Sequence, residues 1–250
     1  MLIENFDPAA YKLIYVSDTY EVSLLARNSS NIIFIFASAG FAFGGAPIKE
    51  FKNSIFSLAN NDFNICWVVD KKIKWYSSPD NENLISVLGR LLASHKFTVA
   101  MGESMGGSAA LFFSQYISFT RLIILGAQFS MQQPFINFNT NLGPPNLSDY
   151  AIPKNYASSS SLNNSFLFFG ADSWQDFIHA SLFREFGYCV KFIRYAGHTV
   201  AHTLKSLNLL TSFLQCVTDV NIRNEDFLDK CQEVLEENLL DKPSVKIFDF

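Results

Sequence analysis

The spacing of apolar and polar positions predicts strands and helices in a regular order. Two short β-rich runs, 11–17 and 21–27, are joined by Asp18-Thr19 and predict an antiparallel pair at the start of the chain. Unbroken apolar runs follow, and such runs are typical of strands that are buried on both faces of a sheet. These runs occupy residues 31–37, 64–69, 97–101, 121–126, 165–170 and 189–195.

Segments with helical character separate the apolar runs. The clearest is 83–95, in which leucine, isoleucine and valine recur at a spacing of three or four residues. Further helices are predicted at 49–59, 107–117, 177–186, 199–216 and 224–240. Because strands and helices alternate after the first pair, the order predicts an α/β fold with a mostly parallel sheet that is covered by helices on both faces.

The regular pattern is interrupted after the sixth predicted strand. Residues 128–164 contain several prolines and a run of serines, and they are longer than an ordinary loop. We interpret this segment as a lid-like insertion. The predicted division of the chain is therefore an α/β core, 1–218, that carries the insertion, followed by a C-terminal helical appendix, 219–250.

Composition narrows the classes of protein that fit. With 49% hydrophobic and 17% charged residues, the chain can build a large core. The net charge is −4 and there is no basic run, which argues against nucleic acid as a partner. The four cysteines are widely spaced and form no Cys-x-x-Cys pair, so no metal site is expected.

The distribution of apolar residues also bears on location. The first residues include acidic side chains and lack the apolar stretch of a secretory signal. No run reaches the roughly 18 apolar residues that a membrane helix needs. We therefore expect no membrane span and a cytoplasmic protein with reduced thiols.

The run 97–101 leads into the sequence Gly102-Glu103-Ser104-Met105-Gly106-Gly107, and a helix-forming run follows at once. In a strand–turn–helix context, Gly-x-Ser-x-Gly exposes the serine at the tip of a tight turn. The unpaired N–H groups of the following helix then point at any negative charge that develops there. Ser104 is therefore a candidate nucleophile.

A serine needs a base to take its proton, and histidine is the natural choice near neutral pH. The chain has four histidines, at positions 95, 179, 198 and 202. Only His198 lies just beyond a buried strand and before a helix, where catalytic groups of open α/β sheets are found. We predict that His198 is the base, the alternative being a structural histidine, and that His202 is structural.

An orienting carboxylate is expected after the strand 165–170, where Asp172 and Asp176 are both available. Asp172 is nearer to the strand end, whereas Asp176 is also suited to capping the next helix. We favour Asp176 and keep Asp172 as the alternative acid. Glu103, beside the serine, is interpreted as a group that supports the site from behind or lies on the surface.

A developing oxyanion needs N–H donors. One candidate is the amide of Met105, directly after the serine. The other is the loop after the run 31–37, where Ala39 and Gly40 allow close approach of the backbone. The glycines of this loop do not have the spacing of a dinucleotide-binding motif, and no phosphate-binding Gly-Lys-Ser or Gly-Lys-Thr occurs, so no cofactor is predicted.

With these residues in order, the sequence resembles the α/β-hydrolase superfamily. The motif at 102–107 matches the nucleophile elbow of that superfamily, and the order of Ser104, an aspartate and His198 matches its serine–acid–histidine order. The resemblance implies an eight-stranded, mostly parallel sheet with the insertion after the sixth strand. The chain departs from the family in reading Gly-Ala-Asp-Ser-Trp-Gln-Asp after the seventh strand, and Ser38-Ala39-Gly40 where many members have His-Gly.

Three functions are compatible with this resemblance. The first is a serine hydrolase that cleaves a small-molecule ester or thioester through an acyl-enzyme. The second is an acyltransferase with the same three residues, and the third is a non-catalytic accessory or binding member of the fold. Phe129, Phe135 and Phe138 in the insertion could cover an acyl group or belong to a surface flap. The apolar side of the C-terminal helix could pack on its own domain or on a protein partner.

Overall fold

The computed structural model describes residues 11–39, 51, 54–55, 63–129, 162–237 and 246–249. Its strands are β1 (Tyr11–Val16), β2 (Tyr20–Leu25), β3 (Asn31–Phe36), β4 (Asn64–Asp70), β5 (Phe97–Glu103), β6 (Arg121–Leu125), β7 (Ser165–Gly170), β8 (Cys189–Ile193) and β9 (Ile247–Phe248). Its helices are α1 (Asn81–Ala93), α2 (Met105–Phe113), α3 (Trp174–Glu185), α4 (Val200–Ser206), α5 (Leu210–Thr218) and α6 (Phe227–Glu237).

All nine strands form one sheet, in the order β1-β2-β4-β3-β5-β6-β7-β8-β9. The six strands from β3 to β8 are parallel to one another, whereas β1, β2 and β9 are antiparallel to the strands with which they pair. The strand order reverses at β3, which lies between β4 and β5. In open α/β sheets, ligands bind outside the carboxyl ends of the strands at such a reversal.

The predicted α/β fold with a mostly parallel sheet is confirmed, but the described residues form nine strands of this sheet and not eight. The additional strand, Ile247–Phe248, pairs with the edge of β8. Two residues are too few to produce an alternating pattern, so this strand has no recognisable signal in the sequence. The predicted helix 199–216 is two helices, α4 and α5, which are separated by a turn that contains Asn208 with a φ of 60°.

The sheet separates two apolar layers, as the continuous apolar runs require. One layer packs the faces of α1, α2 and α3 against the sheet, and the other packs α4, α5 and α6. Within the described parts of the chain, no helix is both long and apolar enough to cross a membrane.

The C-terminal helix α6 packs on its own chain. Phe227, Cys231 and Leu235 on its apolar side are fully buried, and the rings of Phe227 and Phe166 lie 4.6 Å apart. The sequence leaves open whether this apolar side packs on its own domain or on a protein partner, and in the structure it packs on its own domain. A protein partner and a domain boundary at residue 218 stay predictions.

Two other predictions lie outside the described residues, wholly or in large part. The insertion 128–164 is described only at its ends, up to Phe129 and from Leu162 onward. The predicted helix 49–59 is described only at Phe51 and at Ser54–Ile55, and the last two are helical.

Candidate active site

Ser104 lies between the end of β5 and the start of α2. Its φ of 53° and ψ of −120° place a non-glycine residue in a sparsely populated region, which costs about 1–3 kcal/mol. Hydrogen bonds nevertheless hold the backbone of Ser104 at both its N–H and its carbonyl group. The Ser104 N–H donates to the Leu125 carbonyl at 2.8 Å, and the Ser108 N–H donates to the Ser104 carbonyl at 3.0 Å. The surrounding sheet and helix thus hold the strained turn in place.

The glycines two residues before and after Ser104 are required by close packing of backbone. A Cβ atom at Gly102 would lie 2.3 Å from the carbonyl carbon of Gly106, and one at Gly106 would lie 2.0 Å from the Phe36 carbonyl oxygen. Neither contact is sterically allowed. Because both positions are glycine, the first turn of α2 can lie directly against the end of β3, where the loop that contains Ala39 begins.

His198 follows β8, in the loop before α4, and 30% of its side chain is exposed. Its Nε2 atom lies 3.0 Å from Ser104 Oγ, and its Nδ1 atom lies 2.7 Å from Asp176 Oδ1. A carboxylate only accepts hydrogen bonds, so Nδ1 carries the proton in the neutral ring. The lone pair of Nε2 is then turned toward the Ser104 hydroxyl.

Asp176 lies in the first turn of α3 and is buried. While its Oδ1 atom faces His198, its Oδ2 atom accepts a hydrogen bond from the Gly170 N–H at 3.1 Å. Ser173 caps the helix by accepting from the Asp176 N–H at 3.3 Å. Helix α3 thus begins three residues earlier than predicted, and Asp176 reaches His198 from a helix and not from an extended loop.

Asp172 is not part of this cluster. It is exposed, and its backbone N–H donates to the Ala196 carbonyl at 2.9 Å. The structure therefore brings Asp176 to His198 and leaves the alternative acid at the surface.

Two carboxylates affect the electrostatics of His198. Burial of the ring lowers the pKa of His198, but the hydrogen bond and charge of Asp176, together with the charge of Glu103, outweigh burial and raise it above the ordinary value. Glu103 is only 1% exposed, and its Oε1 atom accepts a hydrogen bond from the Ala201 N–H at 2.7 Å. Of the two interpretations of Glu103, the surface group is wrong, because its side chain is buried.

The candidate oxyanion donors are described only in part. Met105 is the first residue of α2, and Ala39 is half-buried beyond the end of β3, whereas Gly40 lies outside the described residues. Tyr76 supports this loop from below, since its hydroxyl lies 3.0 Å from the Ala37 carbonyl oxygen and 2.7 Å from that of Val68. The backbone that leads to Ala39 is therefore fixed.

Gln128, which the sequence analysis did not single out, has its side chain in the site. It is 1% exposed, and its Nε2 atom lies 3.2 Å from Ser104 Oγ and 3.2 Å from His198 Nε2. A signal was available, because Gln128 is the first polar side chain after β6, whose carboxyl end lies between those of β5 and β7. Glutamine has no acid–base role, so a pattern of nucleophile, base and acid in the sequence does not point to it.

The other histidines lie elsewhere. His95 Nε2 is 2.7 Å from Asn64 Nδ2, and His179 Nδ1 accepts a hydrogen bond from the Phe129 N–H at 3.0 Å. His202 is exposed on α4. His198 is thus the histidine that the described structure brings to Ser104.

The part of the proposed acyl cover that is described is Phe129. Its ring packs 5.1 Å from that of Phe183 and 5.2 Å from that of Phe186. Phe135 and Phe138 lie outside the described residues.

Within the described ranges, no group of His, Cys, Asp and Glu side chains is arranged to hold a metal ion.

Comparison with known proteins supports the fold through structure and not through sequence. No family model matches the chain, and no curated protein matches it. Among solved structures, the capsule O-acetyltransferase of Neisseria meningitidis serogroup A matches at 13% identity and a TM-score of 0.54, with 79% of this chain and 92% of that chain covered.

Two hydrolases match in the same way. The fluorophosphonate-binding serine hydrolase F of Staphylococcus aureus is 12% identical with a TM-score of 0.53, and 84% of this chain and 99% of that chain are covered. A carboxylesterase of Nitrososphaera gargenis is 14% identical with a TM-score of 0.54, and the coverage is 82% and 98%. At these identities the matches show the fold, and the chain has the α/β-hydrolase fold.

Proposed function

We propose that the protein is a serine hydrolase that cleaves an ester or thioester of a small molecule through an acyl-enzyme. In this proposal Ser104 is the nucleophile, His198 the general base and Asp176 the orienting acid. The observation that carries the proposal is the chain of two hydrogen bonds from Ser104 Oγ, 3.0 Å to His198 and then 2.7 Å to Asp176. This arrangement of an activated nucleophile, a base and an orienting group is the general requirement for acyl transfer by serine.

In the acylation step, Ser104 Oγ attacks the acyl carbon and its proton passes to His198 Nε2. The imidazolium that forms is stabilised by Asp176, which is buried and already bonded to Nδ1. His198 then gives the proton to the leaving alcohol or thiol as the bond to the acyl carbon breaks. The acyl group remains as an ester on Ser104.

The oxyanion of the tetrahedral intermediate needs donors that are oriented before the reaction. The N–H of Met105 is suited to this role, because it belongs to the first turn of α2 and has no acceptor within that turn. The second donor is assigned to the loop at Ala39 and Gly40. Each such donor contributes about 3–4 kcal/mol to stabilisation of the transition state in other serine enzymes.

The structural neighbours favour ester chemistry without choosing between its two forms. Two of those described above are named as a serine hydrolase and a carboxylesterase, and the third as an O-acetyltransferase. The last observation supports acyl transfer to an alcohol as a second candidate function, since the same three residues serve either reaction. The two differ only in whether water or an acceptor hydroxyl removes the acyl group.

Labelling with a fluorophosphonate probe tests the proposal. We expect the wild-type protein and Ser181→Ala, a control at an exposed serine on α3, to be labelled. Ser104→Ala should be neither labelled nor active on p-nitrophenyl acetate. If the folded wild-type protein is not labelled, the proposed function is wrong and the non-catalytic alternative is favoured.

Turnover of p-nitrophenyl acetate with and without a short alcohol then separates the two reactions. A hydrolase should release acetate at a rate that the alcohol changes little. An acyltransferase should form the acetyl ester of the alcohol in preference to free acetate.

A further inference from the structure

The side-chain amide of Gln128 lies against both reacting atoms of the proposed site. Its Nε2 atom is 3.2 Å from Ser104 Oγ, 3.2 Å from His198 Nε2 and 3.3 Å from the Gly126 carbonyl oxygen. A carbonyl oxygen only accepts hydrogen bonds, so the end of the amide that faces this group is the nitrogen. Gln128 thus directs an N–H donor at the nucleophile and places its amide nitrogen beside the base.

The opposite end of the amide is held by helix α2. Ser108 Oγ accepts a hydrogen bond from the Gln128 backbone N–H at 2.9 Å and lies 3.3 Å from Gln128 Oε1. Ser108 is one helical turn after Ser104, on the helix that begins at the nucleophile. The position of the Gln128 amide is therefore tied to that of Ser104, and burial keeps water from replacing its hydrogen bonds.

We propose that Gln128 is a further catalytic residue, whose side-chain N–H donates a hydrogen bond to the attacking oxygen in both half-reactions. That oxygen is Ser104 Oγ during acylation and the oxygen of water or an acceptor alcohol during deacylation. The inference rests on the proposed function, which requires Ser104 to form an acyl-enzyme.

The Gln128 N–H suits the first half-reaction because it complements the hydrogen bond between Ser104 and His198. The lone pair of His198 Nε2 accepts one hydrogen, and the Ser104 hydroxyl provides it. The two hydrogens of Gln128 Nε2 then go to Ser104 Oγ and to Gly126. A hydroxyl oxygen can accept one hydrogen bond while it donates another, so the amide fixes the rotation of the Ser104 side chain with its proton toward the base.

In the second half-reaction the same donor is available for a new oxygen. Once Ser104 Oγ is part of an ester, its lone pairs are delocalised toward the carbonyl and it accepts hydrogen bonds poorly. An incoming hydroxyl must lie within hydrogen-bond distance of His198 Nε2, and Gln128 Nε2 already borders that space. The hydroxyl can donate its proton to His198 and accept the N–H of Gln128.

Deacylation of Ser104 proceeds through a second tetrahedral intermediate. The acceptor oxygen forms a bond to the acyl carbon as its proton moves to His198 Nε2. The tetrahedral intermediate then collapses, the bond between the acyl carbon and Ser104 Oγ breaks, and His198 returns the proton to Oγ. The products are free Ser104 and the acid, or the ester of the acceptor alcohol.

Gln128→Met tests the inference, since methionine has similar length but no N–H. Two rates are measured, namely fluorophosphonate labelling, which requires only attack by Ser104, and steady-state turnover of p-nitrophenyl acetate, which also requires deacylation. We expect both rates to fall roughly tenfold to hundredfold, the loss expected for one buried hydrogen bond to a reacting group. Gln215→Met, at an exposed glutamine on α5, is the matched control and should react at the wild-type rates.

Gln128→Glu adds a readout of whether the side chain at position 128 lies beside His198, as the proposal requires. This variant keeps the shape but replaces the donor by a carboxylate beside His198, which already faces Asp176 on α3 and Glu103 on β5. A further negative charge stabilises the imidazolium, so the acid limb of kcat/KM should move to higher pH.

The outcomes separate the inference from the function on which it rests. Wild-type rates in Gln128→Met, or an acid limb in Gln128→Glu at the wild-type pH, would overturn the role of Gln128 alone. A loss of rate that only follows the loss of folded protein in thermal melts would also overturn it. Failure of the wild-type protein to be labelled would overturn the proposed function and this role together.

Discussion

The carboxylate of Glu103, one residue before Ser104, accepts a hydrogen bond from the backbone N–H of Ala201 at 2.7 Å. Ala201 lies three residues after His198, in the first turn of α4. The strand that carries the proposed nucleophile is therefore joined, underneath the site, to the segment that carries the proposed base. The charge of Glu103 also adds to the upward shift in the pKa of His198.

Glu103→Gln should shift the pH dependence of activity downward. His198 must be neutral to accept a proton, so activity falls as the pH drops through the pKa of His198. That pKa is raised in part by the Glu103 charge, and removing the charge lowers it. The acid limb of kcat/KM for p-nitrophenyl acetate should therefore move to lower pH.

Glutamine retains an oxygen that can accept from Ala201, which separates the effect of charge from that of position. Glu82→Gln, at an exposed acid on α1, is the control and should leave the limb unchanged. An acid limb at the wild-type pH in Glu103→Gln would show that Glu103 does not act on His198 through its charge.

Asp176→Asn should lower kcat by about 10⁴, because an amide at this position can turn its N–H toward Nδ1 and favour the wrong tautomer of His198. Asp172→Asn is the matched control, and its exposed side chain predicts near wild-type turnover. Steady-state kinetics on both variants tests this prediction, and circular dichroism verifies that both are folded. The reverse ranking would assign the orienting role to Asp172 and contradict the geometry around His198.

Much of this candidate site could be predicted from the sequence, because the motif around Ser104 and the strand order restrict where a base can lie. His198 follows from the apolar run before it. Asp176 could not be separated from Asp172 by pattern, since the choice depends on where α3 begins, and the cap at Ser173 sets that start. Gln128 was missed because glutamine has no acid–base role, although its position as the first polar side chain after β6 was a signal.

The fold, too, could be predicted from the sequence only in part. Long apolar runs predicted the parallel strands, since burial on both faces leaves a clear trace in the sequence. The break between α4 and α5 at Asn208 and the edge strand at Ile247–Phe248 left no such trace. Both depend on a single backbone conformation or on a short pairing that forms only in the folded chain.

Gly106→Ala should destabilise the protein and disturb the site. The new Cβ atom would lie 2.0 Å from the Phe36 carbonyl oxygen, so α2 or β3 must shift. Overpacking of this kind costs about 1–3 kcal/mol of unfolding free energy. Because the shift also moves Met105 and Ser104, labelling by the fluorophosphonate probe should slow even in protein that remains folded.

Gly89→Ala provides a control with the opposite sign. A Cβ atom at Gly89, inside α1, would meet only Ile117 Cγ2 at 3.7 Å, an ordinary contact. Alanine is the better helix former by about 1 kcal/mol, so this variant should be as stable as the wild type or more so. Equal unfolding midpoints for the two variants would contradict the close packing at Gly106.

Arg121→Met should cost stability without changing the chemistry of Ser104. The side chain is fully buried, its Nε atom donates to Asn224 Oδ1 at 3.0 Å, and the remaining N–H groups donate to the carbonyls of Cys216, Val217, Asp219 and Ile222. Removing the guanidinium leaves the buried carbonyls of Cys216 and Val217, and the partly buried acceptors beside them, without this donor. A loss of about 1–3 kcal/mol is expected, the cost of leaving buried hydrogen-bonding groups unsatisfied.

Arg121 begins β6 and pairs with Val99, near the amino ends of the parallel strands, whereas Ser104 follows the carboxyl end of β5. The folded fraction of Arg121→Met should therefore be labelled at the wild-type rate, while the midpoint of urea unfolding falls. Arg90→Met, at an exposed arginine on α1, should leave both quantities unchanged. If Arg121→Met instead slows labelling of fully folded protein, the segment that Arg121 holds after α5 must act on the site, and stability and chemistry are not separate in this fold.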